Sequence, residues 1–490
     1  MPQLANNPPL LPYLSNLPSK QALLDAFLQR PISELRTPAF VIDRAIVRRN
    51  CVEMLQGAKD SGMAFRAHVK THKTTEGIRL ELSPTSDIGD QATPLKCHAI
   101  IVSTLIEAWE VLRSGLVEDG TVNDILYGLP LPVAKIAEIH SLQTQLASKG
   151  AKMRLLVDHP IQAEALKAYT ESLGDAEGPR WSVFVKVDAG YKRAGIPPSA
   201  PIFTSLIKQL LSCSSFISIY GFYCHAGNSY SSKSLPEATN YYSSEIDTVV
   251  EAAHIAKSLD DATSTSTSTS YVLSVGSTPT AHASAKLLSM EVSGTLELHA
   301  GNYIFHDLQQ LATSLIAPRD IAHRIIASVI SLYPGRGVIE TSREIVEGEN
   351  EVDEAMVDVG GIGMSKDTGP IKGWGKVVGL VKTGAVTEGG LHSDANWLLD
   401  ESTGWTLSRI SQEHGILSND RTSLVGAKVV SDSVKLEIGD KVAIIGQHAC
   451  LIASSHPWYY IVDSDLAVDE YDQKRRGERV VDVWVPWKGW

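Results

Sequence analysis

The stretch FRAHVKTHKTTEG occupies residues 65–77 and contains two lysines, Lys70 and Lys73. Just before Lys70 its residues alternate as in a β-strand, and after it the stretch becomes polar. The pattern predicts a strand over residues 65–70 with Lys70 at its carboxyl end. Lys73 lies beyond that end, where a lysine is expected to be solvated.

Seven further short apolar runs follow along the chain, and most are separated by segments with helical spacing. They are AIIVST (99–104), DILYGL (124–129), MRLLVD (153–158), SVFVKVD (182–188), SIYGFYCH (218–225), YVLSVGS (271–277) and LELHAGNYI (296–304). Eight strands alternating with helices predict an α/β fold, a (β/α)8 barrel of the TIM type. The rival is an open doubly wound sheet, which has fewer strands and usually a Gly-rich loop after the first; that loop is absent here.

Beyond about residue 315 the pattern changes to alternating runs separated by Gly or charged turns, which predicts an antiparallel β domain. The run FVID at 40–43 is expected to join it. We therefore predict an N-terminal segment over residues 1–44 that packs on the β domain, a barrel over 45–314, and a C-terminal β domain over 315–490.

Composition excludes several classes of protein. The formal net charge of −12 argues against nucleic acid as a partner. The sequence contains no run of about 18 apolar residues, so we predict no membrane helix. The Pro-rich start lacks the basic region and apolar stretch of a secretory signal. Five scattered cysteines do not suggest a disulfide framework. We expect a cytoplasmic protein.

Polar segments follow the last four predicted barrel strands, at the ends where such barrels collect function. They are VDAGYKRAG (187–195), YCHAGNSY (223–230), VGSTPT (275–280) and HAGNYIF (299–305). Each alone is typical of a turn, but they share one rim with Lys70. Small residues after strands seven and eight form the usual phosphate site of these barrels. A phosphate site opposite a lysine indicates pyridoxal 5'-phosphate, whose aldehyde needs an amine for a Schiff base.

The segments HVKTHK, DAGYKRAG, HAGNSY, GSTPT, GNYIF and HAC together resemble the family of eukaryotic D-serine dehydratases and D-threonine aldolases, over about residues 35–465. That family has an alanine-racemase-like pyridoxal phosphate fold. The resemblance implies that Lys70 carries the cofactor and that Arg193 and His225 lie near its ring. It also implies cofactor or phosphate contacts, by Tyr191, Tyr230, Thr278, Gly301 and Asn302. The family commonly has Pro at the position of Ala67 and Arg at that of His299.

The segment QHACL places His448 and Cys450 two residues apart, so on a strand both side chains point to one face. An imidazole and a thiolate favour zinc, although an isolated pair of this kind is more often a core cysteine with a satisfied histidine. The resemblance implies that both residues are Zn²⁺ ligands in the β domain. His456 is a third candidate zinc ligand, with a structural role as the alternative. Glu413 and His414 are expected near the mouth of the site or simply exposed to solvent.

The resemblance implies a D-serine ammonia-lyase that removes water from D-serine to give an oxo acid and ammonia, with D-threonine as a further expected substrate. Lys70 would be the base for the α-proton, and zinc would assist the departure of the hydroxyl. A D-threonine aldolase, a D-threo-3-hydroxyaspartate dehydratase and a non-catalytic pyridoxal phosphate-binding protein stay open as alternatives. The family pattern also suggests a homodimer.

Overall fold

The computed structural model describes residues 16–84, 95–174, 180–225, 227, 232, 234–261, 270–279, 281, 293–338, 351–381, 403–421, 434–466 and 478–490. These residues form two compact units, one containing residues 51–303 and 487–490 and the other residues 17–50 and 304–486. Within the described ranges no helix has the length and apolar character needed to span a membrane. All five cysteines lie in these ranges, and none forms a disulfide.

In chain order the strands are β1 (Ala39–Asp43), β2 (Ala64–His68), β3 (Ala99–Val102), β4 (Asp124–Pro130), β5 (Lys152–Val157), β6 (Trp181–Lys186), β7 (Ile217–Tyr223), β8 (Val272–Val275), β9 (Thr295–Ala300), β10 (His323–Val338), β11 (Glu351–Val357), β12 (Gly375–Val381), β13 (Thr406–Ile410), β14 (Gly415–Ser418), β15 (Lys441–Gly446), β16 (Tyr459–Val462) and β17 (Asp482–Trp484). The α-helices are α1 (Lys20–Phe27), α2 (Arg44–Asp60), α3 (Thr75–Leu82), α4 (Leu105–Arg113), α5 (Ile136–Ser148), α6 (Pro160–Ser172), α7 (Pro201–Ser212), α8 (Leu235–Asp261), α9 (Leu308–Ala312), α10 (Gly361–Met364) and α11 (Ala449–Ser455).

Strands β2 to β9 close into a parallel barrel in chain order, with β9 pairing to β2. This confirms the predicted (β/α)8 architecture. The strands read as short continuous apolar runs because parallel strands in such a barrel are buried on both faces. A cluster inside the barrel unit combines Ile101, Leu126, Leu156, Phe184 and Tyr223.

A buried ionic network joins four barrel strands. The guanidinium of Arg66, only 1% exposed, donates through Nε to Glu297 Oε1 at 2.9 Å and through Nη1 to Asp124 Oδ1 at 2.7 Å. Arg154 Nη2 lies 2.6 Å from Asp124 Oδ2. Buried charges are tolerated only when paired and hydrogen-bonded, and here each charged group has an opposite partner. The network makes both oxygens of Glu297 acceptors of hydrogen bonds from Arg66.

The second unit contains a nine-stranded sheet in the order β11-β14-β13-β12-β15-β10-β1-β16-β17. The strand β10 also pairs with β11, so part of the sheet closes on itself. Pairings are antiparallel except between β1 and β16. The run FVID therefore lies inside this sheet, as the alternating pattern suggested. The predicted domain boundaries after residues 44 and 314 stay a prediction.

Candidate active site

Lys70 lies in a 3-10 turn that follows the first barrel strand. Strand β2 ends at His68, and residues Val69–Thr71 form the turn. The predicted strand over 65–70 was therefore two residues too long, because the chain turns as soon as it leaves the sheet. Lys70 still lies at the carboxyl end of the strand, where barrel active sites are built.

The polar segment after Lys70 is held by buried hydrogen bonds. Thr74 N donates to His72 Nδ1 at 3.1 Å, so Nε2 carries the hydrogen and donates to Glu81 Oε2 at 3.1 Å. Thr74 also caps α3 by accepting from Gly77 N at 3.1 Å. A Cβ on Gly77 would approach His72 Nδ1 to 2.2 Å, so the position requires glycine. These contacts fix the backbone that follows the candidate lysine.

Lys73 differs from Lys70 in its surroundings. Its Nζ lies 3.1 Å from Oε1 of the fully buried Glu107, and its carbonyl accepts from Trp487 N at 2.8 Å. The expectation that Lys73 is solvated was wrong, because a buried carboxylate lies within its reach. Among the described residues no carboxylate forms an ion pair with Lys70.

His68, His225 and His299 lie at the same end of the barrel, and the charge of Lys70 acts on His68 and His225. Burial, followed by the charges of Lys70 and His225, holds the pKa of His68 well below its usual range. Burial, followed by Arg193 and Lys70, does the same for the pKa of His225. His68 ends β2 and Lys70 follows it, while Arg193 and His225 follow β6 and β7, so all four lie at the carboxyl end of the barrel. The structure thus brings Lys70, Arg193 and His225 together.

Two glycines allow the strand ends to approach each other closely. Gly276 has φ +138°, and a Cβ there would meet the carbonyl oxygen of His299 at 2.4 Å. A Cβ on Gly301 would meet the carbonyl oxygen of His68 at 2.8 Å. The carbonyl of Gly276 also accepts from His225 Nδ1 at 2.8 Å. The backbone after β8 and β9 is therefore packed against neighbouring strand ends, and side chains larger than hydrogen are excluded.

The segment after β8 offers a buried polar group to a ligand. Thr278 is fully buried, and its Oγ1 has no hydrogen-bond partner among the described residues. Asn302, after β9, is 3% exposed. Buried hydroxyls in folded proteins are nearly always hydrogen-bonded, so an unpartnered one fits a site for an anion such as phosphate. The residues present are therefore suited to the phosphate of pyridoxal phosphate.

The loop after β6 contributes the remaining predicted rim residues. The guanidinium carbon of Arg193 lies 5.5 Å from the ring centroid of Tyr191, which is 39% exposed. A Cβ on Gly227 would meet the Tyr191 ring at 2.4 Å, so the ring packs against that glycine. Tyr230 lies outside the described residues.

A buried cluster that was not predicted from the sequence lies beside these residues. Lys186 ends β6, is 5% exposed, and holds its Nζ 4.9 Å from the ring centroid of Tyr223. Burial lowers the pKa of Lys186. The Tyr223 ring in turn stacks on His299 at a centroid distance of 4.1 Å. One signal was present, since a lysine inside the apolar run SVFVKVD is unusual.

His448 and Cys450 belong to the second unit and do not lie on a strand. Strand β15 ends at Gly446, His448 is the extended N-cap residue of α11, and Cys450 lies in the first turn of that helix. The strand-based spacing argument was therefore wrong, because the helix begins between the two residues. Their side chains nevertheless lie within hydrogen-bond reach of each other.

Two carboxylates, of Asp307 and Asp367, lie beside His448 and Cys450. His448 Nδ1 lies 2.5 Å from Asp367 Oδ2, and Asp307 Oδ2 accepts from Ala449 N at 2.9 Å. Burial disfavours the charged imidazole, but Cys450, Asp307 and Asp367 outweigh it and raise the pKa of His448 to about 10. The surroundings therefore favour a positive charge. A histidine that donates Nδ1–H to a carboxylate presents Nε2 to a metal, the usual arrangement in metal sites.

The donor set fits zinc, although it is small. Imidazole and thiolate are preferred zinc ligands, and a catalytic site leaves at least one position for water or substrate. Within the described ranges no group of three or more His, Cys, Asp or Glu side chains is arranged to hold a metal ion. His456 Nε2 lies 3.1 Å from the carbonyl oxygen of Gly363. Glu413 is exposed and His414 is partly buried.

The barrel and its rim define a class of protein before any comparison is made. A parallel (β/α)8 barrel with a lysine after the first strand and buried polar side chains after the last two is typical of alanine-racemase-like proteins. Accordingly, the family model of the alanine racemase N-terminal domain matches residues 42–284. The model described as "Putative serine dehydratase domain" matches residues 322–462.

Near-full-length relatives identify the family more closely. The chain is 36% identical over 477 residues to a D-serine dehydratase of Schizosaccharomyces pombe, with 96% of each chain covered. It is 33% identical over 476 residues to a D-serine dehydratase of Saccharomyces cerevisiae, covering 94% of this chain and 97% of the relative. The chain belongs to the D-serine dehydratase family.

A solved structure shows the same architecture. It is a D-threo-3-hydroxyaspartate dehydratase, a cysteine-to-alanine mutant in the metal-free form, and it is 25% identical to this chain. The TM-score is 0.68, with 94% of this chain and all of that chain covered.

Proposed function

We propose that this protein is a D-serine dehydratase that depends on pyridoxal phosphate and zinc and converts D-serine to pyruvate and ammonia. The near-full-length similarity to two yeast D-serine dehydratases carries the proposal. The rim residues of the barrel support it, since they combine a lysine after the first strand with buried polar side chains after the last two. We further propose that the protein takes a small D-amino acid as substrate, binds neither nucleic acid nor membrane, and acts as a homodimer.

Pyridoxal phosphate, when bound, supplies a ring that takes up negative charge from the substrate's α-carbon. The chain's own residues would hold it in defined ways. Lys70 would attach to the aldehyde carbon of the cofactor. Thr278, Asn302 and the amide of Gly301 would hold the cofactor's phosphate. Tyr191, Tyr230, Arg193 and His225 would line its ring and phosphate.

Lys70 has a second role in this proposal. The free Lys70 amine would lie near the substrate's α-carbon, where it would act as general base for the α-proton. Beside it, burial, followed by the charges of Arg193 and Lys70, holds the pKa of His225 well below its usual range, so His225 is neutral. The buried bonds of His72 and Thr74 keep the Lys70 backbone in position.

Zinc, when bound, would act as a Lewis acid on the β-hydroxyl, which is otherwise a poor leaving group. His448 and Cys450 would hold it, and Asp367 would orient the imidazole through Nδ1. The metal-free form of a cysteine-to-alanine mutant of a related dehydratase supports a metal role for a cysteine in this family.

A substrate assay tests the function directly. Purified protein loaded with both cofactors is expected to release pyruvate and ammonia in equal amounts from D-serine and to leave L-serine unchanged. D-Threonine and D-threo-3-hydroxyaspartate are assayed separately as alternative substrates, and the products are identified in each case. Glycine and acetaldehyde from D-threonine as the main products would identify an aldolase instead, and no turnover of any of the four would leave a cofactor-binding protein.

The phosphate site is tested by removing polar atoms while keeping side-chain volume. The double variant Thr278→Val/Asn302→Leu is expected to weaken pyridoxal phosphate affinity by at least about 10-fold, because a hydrogen bond to a charged group contributes about 1.5–3 kcal/mol. Cofactor affinity is measured by fluorescence titration of the apoprotein. Thr144→Val, on the exposed face of α5, is the matched control and should bind normally. Equal affinities for the double variant and the control would place the phosphate elsewhere.

A further inference from the structure

His299 is a buried polar residue at the cofactor end of the barrel that the proposed function leaves without a role. It lies near the end of β9, is 2% exposed, and stacks on Tyr223 with an interplanar angle of 11°. Its ring centroid is 5.9 Å from that of His225. The His299 side chain is therefore held in one orientation beside the residues assigned to the cofactor.

The hydrogen-bond network determines which nitrogen of His299 carries the proton. Arg66 donates to both oxygens of Glu297, to Oε1 at 2.9 Å and to Oε2 at 3.1 Å, so this carboxylate accepts hydrogen bonds. Ser274 Oγ lies 2.8 Å from Glu297 Oε1 and must use its single hydrogen there. The same oxygen lies 3.0 Å from His299 Nδ1 and can only accept from it. His299 is therefore the tautomer with hydrogen on Nδ1.

The other nitrogen, Nε2, is then a bare acceptor. It is buried and has no hydrogen-bond partner among the described residues. Burial, followed by the charges of His225, Lys186, His68 and Arg66, holds the pKa of His299 well below its usual range, so the ring is neutral. A buried acceptor without a partner is costly, and in a ligand site it points to a donor on the ligand.

We propose that His299 Nε2 accepts a hydrogen bond from the protonated ring nitrogen of pyridoxal phosphate. This inference rests on the proposed function, since it assumes that cofactor. The aldehyde carbon is assigned to Lys70 and the phosphate to Thr278 and Asn302, which leaves the phenolic oxygen and the ring nitrogen. An ionised phenolic oxygen can only accept, as Nε2 does, so the two would repel each other. The protonated ring nitrogen is the donor that matches.

The consequence concerns the electronic state of the cofactor. A protonated ring withdraws electrons more strongly than a neutral one and better stabilises the negative charge left when the α-proton departs. Ser274 acts as a positioning residue here, because its bond to Glu297 fixes the tautomer of His299. An arginine at position 299 would reverse the effect, since a guanidinium has only donors and favours an unprotonated ring.

Solid-state ¹⁵N NMR of protein loaded with ring-¹⁵N-labelled pyridoxal phosphate reads the protonation state without turnover. The wild-type resonance is expected at the pyridinium position, and the His299→Arg resonance at the free-base position. Ser274→Ala, which keeps the core volume nearly unchanged, is expected to show a loss of pyridinium signal at neutral pH. His140→Gln is the control and should keep the pyridinium signal, because His140 lies on α5 and packs on Tyr169 and Trp181.

The outcomes separate this inference from the proposed function. A wild-type protein that binds the label with an unprotonated ring overturns the inference and leaves the cofactor assignment intact. A pyridinium signal that persists in His299→Arg, or that disappears in His140→Gln instead, also overturns it. If the label does not bind to the wild type at all, both the inference and the cofactor assignment fail.

Discussion

Lys70→Arg is expected to abolish the visible absorbance of bound pyridoxal phosphate and to lower D-serine turnover by about 10⁴-fold or more. The substitution keeps the positive charge but removes the amine that would attach the cofactor. It also removes the proposed base for the α-proton, and general acid–base catalysis alone typically contributes about 10²–10⁴-fold. The absorbance spectrum of the reconstituted protein and the rate of pyruvate release measure the two effects separately.

Lys73→Arg is the matched control for this experiment. Arginine can keep the ion pair with the buried Glu107, so the fold should be maintained and the cofactor spectrum should be that of the wild type. If the absorbance band persists in Lys70→Arg and disappears in Lys73→Arg, the attachment site is Lys73. Circular dichroism of both variants verifies that a lost band does not come from unfolding.

The barrel could be predicted from the sequence because its signal is local. Each parallel strand is a short apolar run, the segments between most of them have helical spacing, and polar residues accumulate just after the strands. Lys70 was therefore found from the end of an alternating run, even though the strand stops at His68. An error of two residues at a strand end is harmless here, because the side chain still lies at the rim.

The geometry around His448 and Cys450 was not predictable in the same way. The rule that residues two apart share a face holds on a strand, but here a helix starts at Ala449. The proximity of the two side chains depends on the turn between β15 and α11. Asp367, far away in sequence, completes the arrangement through His448 Nδ1. No local pattern connects positions that are 81 residues apart.

The hydrogen-bond network that holds His299 was also not predictable from the sequence. Arg66, Ser274 and Glu297 lie on β2, β8 and β9, and only closure of the barrel brings them together. A sequence pattern shows that Arg66 interrupts an apolar run. It does not show that Glu297 pairs with it, nor that the pair fixes the tautomer of a histidine. Such long-range polar networks are where a structure adds most to a sequence.

Cys450→Ala is expected to leave the protein folded and its cofactor spectrum unchanged, while bound zinc and dehydratase activity are lost together. Removing the thiolate leaves one protein ligand, His448, and a single imidazole holds zinc weakly. Zinc content is measured by mass spectrometry of the purified protein. Cys213→Ala, which removes a buried cysteine of the barrel unit, is the control and should retain metal and activity.

Asp367→Asn tests the metal site without touching a ligand. The amide can still contact His448 Nδ1 but no longer supplies negative charge, so zinc affinity should fall by about 10–100-fold, as is usual when the carboxylate behind a metal-bound histidine is lost. Excess zinc should then restore activity in Asp367→Asn and not in Cys450→Ala. Chelator should inactivate the wild type reversibly. A wild-type protein that contains no zinc and dehydrates D-serine at full rate in chelator would reduce His448 and Cys450 to structural residues. A protein side chain would then have to protonate the leaving hydroxyl.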